Sequence, residues 1–361
     1  MIDYENLAKL NRPFFDEMKQ SFNDTLEGGW YILGGRVKKF EEEYAAFHGM
    51  KHCIGVNSGL DAMVLALKAF GFPEGSEVIV PSNTYIATIL AVMQAGLKPV
   101  MAEPDIRTYN ISPAEIEKKI TKKTAAVLPV HLYGKSCDMK SILELKEKYG
   151  FKLVEDCAQS HDAKQYGRLT GTFGEYGAFS FYPTKNLGAI GDSGAILTND
   201  DDLALAVRRL RNYGSDVKYY NEVQGYNSRL DDVQAGLLSV KLKHLKEITA
   251  HKQKLADLYH HHLSDAFIKP VREEGYEDVF HIYNIRHPER DRLKQYLLER
   301  GIKTEIHYPV APHHQKAMKG VFEGSYPISE EIHATTLSLP VSFCHTEEEI
   351  MQVIEALNKF I

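Results

Sequence analysis

A lysine set between an apolar run and a glycine-rich turn is the residue of this chain whose setting most suggests chemistry. Lys185 lies in Gly177-Ala178-Phe179-Ser180-Phe181-Tyr182-Pro183-Thr184-Lys185-Asn186-Leu187-Gly188, and Gly191-Asp192-Ser193-Gly194 follows. Burial lowers the pKa of an amine, and a neutral amine attacks a carbonyl carbon to give a Schiff base. Upstream, Phe151-Lys152-Leu153-Val154-Glu155-Asp156 reads as a buried strand with Asp156 at its carboxyl end and Gln159 just beyond. Ligands of open α/β sheets bind outside such strand ends. An acid there can keep a pyridine nitrogen protonated and so make the ring an electron sink. Pyridoxal phosphate needs that partner as well as a lysine. The plainer alternative is that Asp156 caps a turn and Gln159 lies on the surface.

Two further runs fit the same ligand. In Gly55-Val56-Asn57-Ser58-Gly59-Leu60 a strand ends and an apolar-periodic helix opens. The free N–H groups and dipole of a helix start suit a phosphate, with Ser58 as cap and Gly59 allowing close approach. Most such turns are ordinary helix caps. Ser180 offers a second hydroxyl. Tyr85, in Pro81-Ser82-Asn83-Thr84-Tyr85, follows the strand Glu77–Val80 and is placed either to stack on a flat ring or to fill the core.

The elements that must position these residues alternate along the chain. Strands are expected at His52–Val56, Glu77–Val80, Pro99–Ala102, Ala125–His131, Phe151–Glu155, Ala178–Phe181 and Ala195–Thr198. Helical patterns cover Thr84–Ala95, Met139–Tyr149, Asp201–Asn212, Asp231 into the 250s, and Glu347–Phe360. Such alternation predicts an α/β fold, a mostly parallel sheet with helices on both faces. Residues 1–250, N-terminal segment included, are expected to form this large domain, and residues 251–361 a smaller α+β domain.

Composition narrows the field. The 361 residues are 43% hydrophobic and 25% charged, an ordinary globular balance. A net charge of -6 gives no electrostatic footprint for nucleic acid. The longest apolar runs fall short of a membrane span, and the acidic, polar first residues are unlike a signal peptide. Cys53, Cys137, Cys157 and Cys344 are scattered without a Cys-x-x-Cys pair and read as reduced thiols of a cytoplasmic protein. Among sixteen histidines, neither His260-His261-His262 nor His313-His314 has the spacing of a metal motif, so no metal is expected.

Taken together, Gly55–Gly59, Pro81–Tyr85, Glu155–Gln159, Ser180–Asn186 and Gly225-Tyr226-Asn227-Ser228-Arg229-Leu230-Asp231 resemble the DegT/DnrJ/EryC1/StrS family of sugar aminotransferases, in the family's order and over most of the chain. The resemblance implies an aspartate-aminotransferase-like (type I) fold and pyridoxal phosphate as cofactor. It implies that Lys185 carries the cofactor and shuttles protons, that Asp156 holds the pyridine nitrogen, that Gln159 bonds the phenolic oxygen and that Tyr85 stacks on the ring. Ser58, Gly59, Leu60 and Ser180 would hold the phosphate, with Asn227 reaching it from the neighbouring subunit of a homodimer. The chain departs from the family's pattern at Leu60, where a threonine is frequent, and in the turn after Lys185, where a third glycine is usual.

On the same likeness, L-glutamate is the donor and a nucleotide-linked keto hexose the acceptor. The overall texture is closest to members that aminate C3 of a dTDP-linked 3-keto-6-deoxyhexose. Alternatives are a C4 aminotransferase of, for example, a UDP-linked sugar, and a non-catalytic regulator that kept the cofactor fold. Tyr31, Arg229, His307, Tyr308, His313, His314 and Lys316 are the candidates on the acceptor side.

Overall fold

The computed structural model describes residues 1–361. Seven short strands form the main sheet: β1 (His52–Val56), β2 (Glu77–Pro81), β3 (Lys98–Ala102), β4 (Thr124–Val127), β5 (Lys152–Asp156), β6 (Tyr176–Ser180) and β7 (Gly194–Thr198). Their order is β1-β7-β6-β5-β4-β2-β3. The pairs from β3 through β6 are parallel, and β7 runs antiparallel to both β6 and β1. Most of these strand residues are buried, as both faces of the sheet are covered.

The register is what matters for the site. Val56 at the end of β1 and Ser180 at the end of β6 both lie opposite Gly194, the first residue of β7. Asp156, ending β5, lies opposite Ala178. The carboxyl ends of β1, β5 and β6 therefore meet on one edge of the sheet.

The sequence expectations are met for β1 to β3 and β5 to β7, within two residues at each end. The strand expected through His131 stops at Val127. Pro129 has no N–H to donate, although its carbonyl accepts from Asp156 N at 2.9 Å and Val130 bridges to Asp156. The helical run from Asp231 divides into Asp232–Leu242 and Leu245–His262, with non-helical His244 between them. In the second helix, Leu245 packs in the core beneath β1 and β6, whereas Leu255, Ala256 and Tyr259 pack in a separate core. That second core also holds the strand pair Tyr283–Arg286 and Thr336–Leu339, the helix Glu347–Asn358, and Ile2 from the start of the chain.

One buried carboxylate fixes the end of β5. Glu155 accepts from Gly171 N at 2.8 Å, from Phe173 N and Gly174 N at 2.7 Å each, and pairs with His131 Nε2 at 3.0 Å. Glu155 and His131 are both 0% exposed. Removing one side of such a cluster leaves buried donors without acceptors. Glu155→Ala is expected to destabilise the cofactor-free protein by about 3–5 kcal/mol in urea unfolding. A loss below about 1 kcal/mol would show that the loop relaxes to find water and that Glu155 is not its anchor.

Candidate active site

The helix Gly59–Ala69 starts directly beyond β1. Ser58 is its N-cap, with Oγ accepting from Asp61 N at 3.1 Å. The N–H groups of the residues that follow the cap have no acceptors inside the helix. A Cβ on Gly59 would lie 2.6 Å from Ser180 Cβ, and one on Gly194 would lie 2.4 Å from Ser58 O. Glycine at both positions lets the helix start, the end of β6 and the start of β7 close into one cradle. Leu60 is partly buried and packs against the main core, which accounts for an apolar side chain there.

Asp156 is buried, and no lysine, arginine or histidine lies within ion-pair distance of it. Its Oδ2 accepts from Thr88 Oγ1 at 2.9 Å and its Oδ1 from Ala158 N at 3.1 Å. Burial raises its pKa, while these two bonds and the Lys185 charge act to lower it. Lys185 likewise has no carboxylate in contact. Burial pushes its amine down to about 8, against an opposing pull from Asp156. The two groups thus feel each other's charge without touching.

The other candidates fall into two sets. Gln159 is buried and committed at both ends: Oε1 accepts from Tyr133 N at 2.6 Å, and Nε2 donates to Tyr308 Oη at 2.9 Å. Tyr308 faces Tyr85 with ring centroids 5.0 Å apart, and Tyr85 keeps 52% of its surface exposed. His307 bonds Ser338 Oγ through Nδ1 at 2.9 Å, and its carbonyl accepts from Tyr133 Oη. Burial, aided by the Lys185 charge, lowers the His307 pKa to about 4. Lys185, Asp156, Gln159, Tyr85, His307 and Tyr308 therefore form one neighbourhood, with Ser58, Gly59 and Ser180 at its rim.

The second set lies apart from that centre within the chain. Asn227 is exposed and pairs by backbone with Asn212, and its side chain has no hydrogen-bond partner in the chain. Arg229 donates to Asn212 Oδ1 at 3.0 Å and lies over the Tyr213 ring. Tyr31 is half exposed, on a segment fastened by Asp232, which accepts from Gly34 N at 2.7 Å and Arg36 N at 3.0 Å. His313 Nε2 meets Glu330 Oε1 at 3.0 Å, so its imidazole is already engaged. His314 and Lys316 are exposed. His313, His314 and Glu330 come close enough for a metal set. Glu330, however, also accepts from Ser325 Oγ and Tyr326 N at 3.2 Å each and thereby closes the start of the helix Pro327–Thr335.

Sequence reading passed over Thr88, Tyr133 and Glu155. Thr88 had a signal, because it follows Tyr85 at helical spacing and so shares its face. Tyr133 had none: its partners Gln159 and His307 stand 26 and 174 residues further along the chain.

A family model described as the DegT/DnrJ/EryC1/StrS aminotransferase family matches residues 15–358. This chain belongs to that family. It is 48% identical, over 100% of its length and 99% of the relative's, to a dTDP-3-amino-3,6-dideoxy-alpha-D-galactopyranose transaminase of Aneurinibacillus thermoaerophilus. It is 43% identical, over 93% of this chain and 89% of the relative, to a dTDP-3-amino-3,4,6-trideoxy-alpha-D-glucose transaminase of Streptomyces venezuelae. Among solved structures, S. venezuelae DesV in complex with a ketimine intermediate superposes with a TM-score of 0.97 at 41% identity, covering 99% of this chain and 98% of that one. The chain is a pyridoxal-phosphate-dependent nucleotide-sugar aminotransferase with the α/β fold expected of it. No helix is long and apolar enough to cross a membrane.

The residues present fit the cofactor. A carboxylate without a cation, an amine without an anion and a helix start whose N–H groups are free beside Ser180 are three features that one ligand would satisfy. In the cofactor-free protein, acetylation of Lys185 should rise as pH passes through about 8, whereas exposed lysines respond nearer 10.4. Because the Asp156 carboxylate raises the lysine's pKa, Asp156→Asn should move that midpoint lower. Peptide mapping reads both, and a Lys185 midpoint at the value of exposed lysines would mean that the amine is solvated.

Proposed function

We propose that this enzyme moves the amino group of L-glutamate onto C3 of a dTDP-linked 3-keto-6-deoxyhexose, releasing 2-oxoglutarate and the 3-amino sugar. The observation that carries the chemistry is that half-buried Lys185 and buried Asp156, neither with a counter-ion in contact, lie on one sheet edge beside the Ser58–Gly59 helix start. The choice of C3 is supported by the two relatives whose printed names are those of dTDP-3-amino sugar transaminases.

Bound pyridoxal phosphate supplies the carbon that condenses with amines and the ring that takes up the electron pair left by a departing α-proton. The rest falls to the chain. Gly59 N–H, Leu60 N–H and the Ser58 and Ser180 hydroxyls would hold the phosphate. Asp156 would keep the pyridine nitrogen protonated, its own position fixed by Thr88 and the Ala158 N–H. Lys185 Nζ would remove the α-proton of the donor and return a proton to the neighbouring carbon. On the acceptor half-reaction Nζ would carry a proton between the same two carbons in the opposite direction. A pKa near 8 suits that work, since a fair share of the amine is neutral at physiological pH while it remains basic.

His307 stays uncharged and so adds no cation beside Lys185. With Nδ1 committed to Ser338, its Nε2 is left to bond a sugar hydroxyl. Tyr85 and Tyr308 would bound the ring's face, and the Gln159–Tyr308 bond ties that wall to the end of β5. The exposed apolar surface around Trp30, Tyr31, Tyr213, Tyr219 and Tyr220 supports a homodimer, in which Asn227 would reach the partner's phosphate.

The deciding experiment offers the purified enzyme 3-keto and 4-keto dTDP and UDP sugars with L-glutamate and locates the new amine by NMR. Amination at C3 of the dTDP sugar is the expected result, and amination only at C4 overturns it. Lys185→Ala should lose turnover altogether. Asp156→Asn should slow the glutamate half-reaction by several kcal/mol of barrier, on the scale typical of lost electrostatic stabilisation. A half-reaction rate within about threefold of wild type would remove Asp156 from its role.

A further inference from the structure

A second lysine is buried behind the first. Lys252, on the helix Leu245–His262, is 4% exposed. Its Nζ donates to Asn186 Oδ1 at 2.8 Å and to His281 O at 3.2 Å. No carboxylate comes within ion-pair distance of it. Asn186, which directly follows Lys185, is 5% exposed, and its Nδ2 donates to Val279 O at 3.1 Å. Both ends of its amide are therefore held, the oxygen by a cation and the nitrogen by a carbonyl.

The clamp reaches into the site from the other side as well. Val279 N bonds Gly134 O at 2.9 Å, and Ile282 N bonds Tyr133 O at 3.2 Å. Tyr133 in turn holds Gln159 through its N–H and His307 through its hydroxyl. The Val279–Ile282 strip thus lies between two ends of the active site: the Lys185 turn through Asn186 and the Gln159–Tyr308 wall through Tyr133. Lys252 is bonded to the strip and to the turn at once.

A buried ammonium with only neutral acceptors costs stability. A methionine of similar length would pack the same stem without that cost. We propose that Lys252 is a positioning residue for transamination: by pinning Asn186 to the Val279–Ile282 strip it sets the direction of Lys185 Nζ relative to Asp156. The helix that carries Lys252 spans both cores, so the pin also makes the amine's direction depend on how the two are docked. Burial lowers the Lys252 pKa to about 8, with Glu5 opposing and Lys185 adding to the effect, which agrees with two ammonium groups near one another in a dry region.

This inference rests on Lys185 carrying the cofactor, so the test begins there. Borohydride reduction of the wild-type holoenzyme followed by peptide mapping should place the label on Lys185. A label on another lysine overturns that assignment and this proposal with it. With Lys185 labelled, the holoenzymes Lys252→Met, Asn186→Ala and the double variant are compared by single turnover with L-glutamate and by circular dichroism of the cofactor's visible band. Misplacing a reacting group by an ångström can cost on the order of 100-fold, so Lys252→Met should be about 10- to 100-fold slower, with a weakened visible band and the KM for glutamate within about threefold. The double variant should be no slower than the slower single, because both act through one contact. Wild-type rate and dichroism in Lys252→Met, or losses that multiply in the double variant, would overturn the assignment. Should Lys252→Met fail to fold, Asn186→Ala decides alone: a slowed, weakly dichroic holoenzyme supports the clamp, and wild-type behaviour refutes it.

Discussion

A carboxylate without solvent contact holds the site in place. Glu155 draws the N–H groups of Gly171, Phe173 and Gly174 and the ring of His131 onto the last turn of β5. Side chains alternate along a strand, so a residue fixed on one face dictates where its neighbour points. With Glu155 drawn toward the Gly171–Gly174 loop, Asp156 is turned the other way, toward Thr88 on the helix Ile86–Gln94. The same carboxylate orders the entry to β6, because Gly174 lies two residues before that strand. One buried acid therefore sets both the direction of Asp156 and the strand that leads to Ser180 and Lys185.

That arrangement leaves charges deliberately unpaired. Asp156 and Lys185 are each desolvated and neither has a direct counter-ion. A direct salt bridge between them would hold Lys185 protonated and unable to accept a proton. Separation keeps the amine available, and burial lowers its basicity toward the operating range. His307 follows the same logic with the opposite outcome, since its neutrality avoids a further cation in the region. Lys252 extends the pattern one layer outward with a second lysine amine, bonded only to neutral oxygens.

How much of this the chain discloses depends on the kind of contact. Period-two strands, the Ser58 cap and the Lys185 turn are local signals, and each appears where the residues place it, because neighbours within a few positions decide it. The end of the strand after Thr124 was misjudged by continuing an apolar run through Pro129. The helical run expected from Asp231 divides at non-helical His244, while residues from both sides of the break, Leu238 and Leu245, share one core. Glu155 was invisible for a different reason. A glutamate at the end of an apolar strand looks like a solvated terminus until Gly171–Gly174 fold over it. Gln159 is held within the chain by Tyr133 and Tyr308, which leaves one N–H of its amide to donate. Those partners are far away in sequence, and no local pattern announces them.

The candidates left outside the central neighbourhood make a consistent group. Asn227, Arg229 and Tyr31 belong to segments fastened to one another and to the Ser58 turn: Ser228 Oγ accepts from Asn57 N at 3.2 Å and donates to Asp61 Oδ2 at 2.6 Å, and Ile32 bridges to Asp231. The backbone of this group is thus rigidly referenced to the cofactor cradle, while the Asn227 side chain finds no partner in its own chain. Around it lie large exposed aromatics, Trp30, Tyr213, Tyr219 and Tyr220, an apolar surface of the sort that a second copy covers. A rigid frame carrying an exposed amide and an uncovered aromatic face leaves apolar surface in water. In the homodimer proposed above, it would present that amide at a fixed distance to the other subunit, and the phosphate cradle would be completed only when two chains meet.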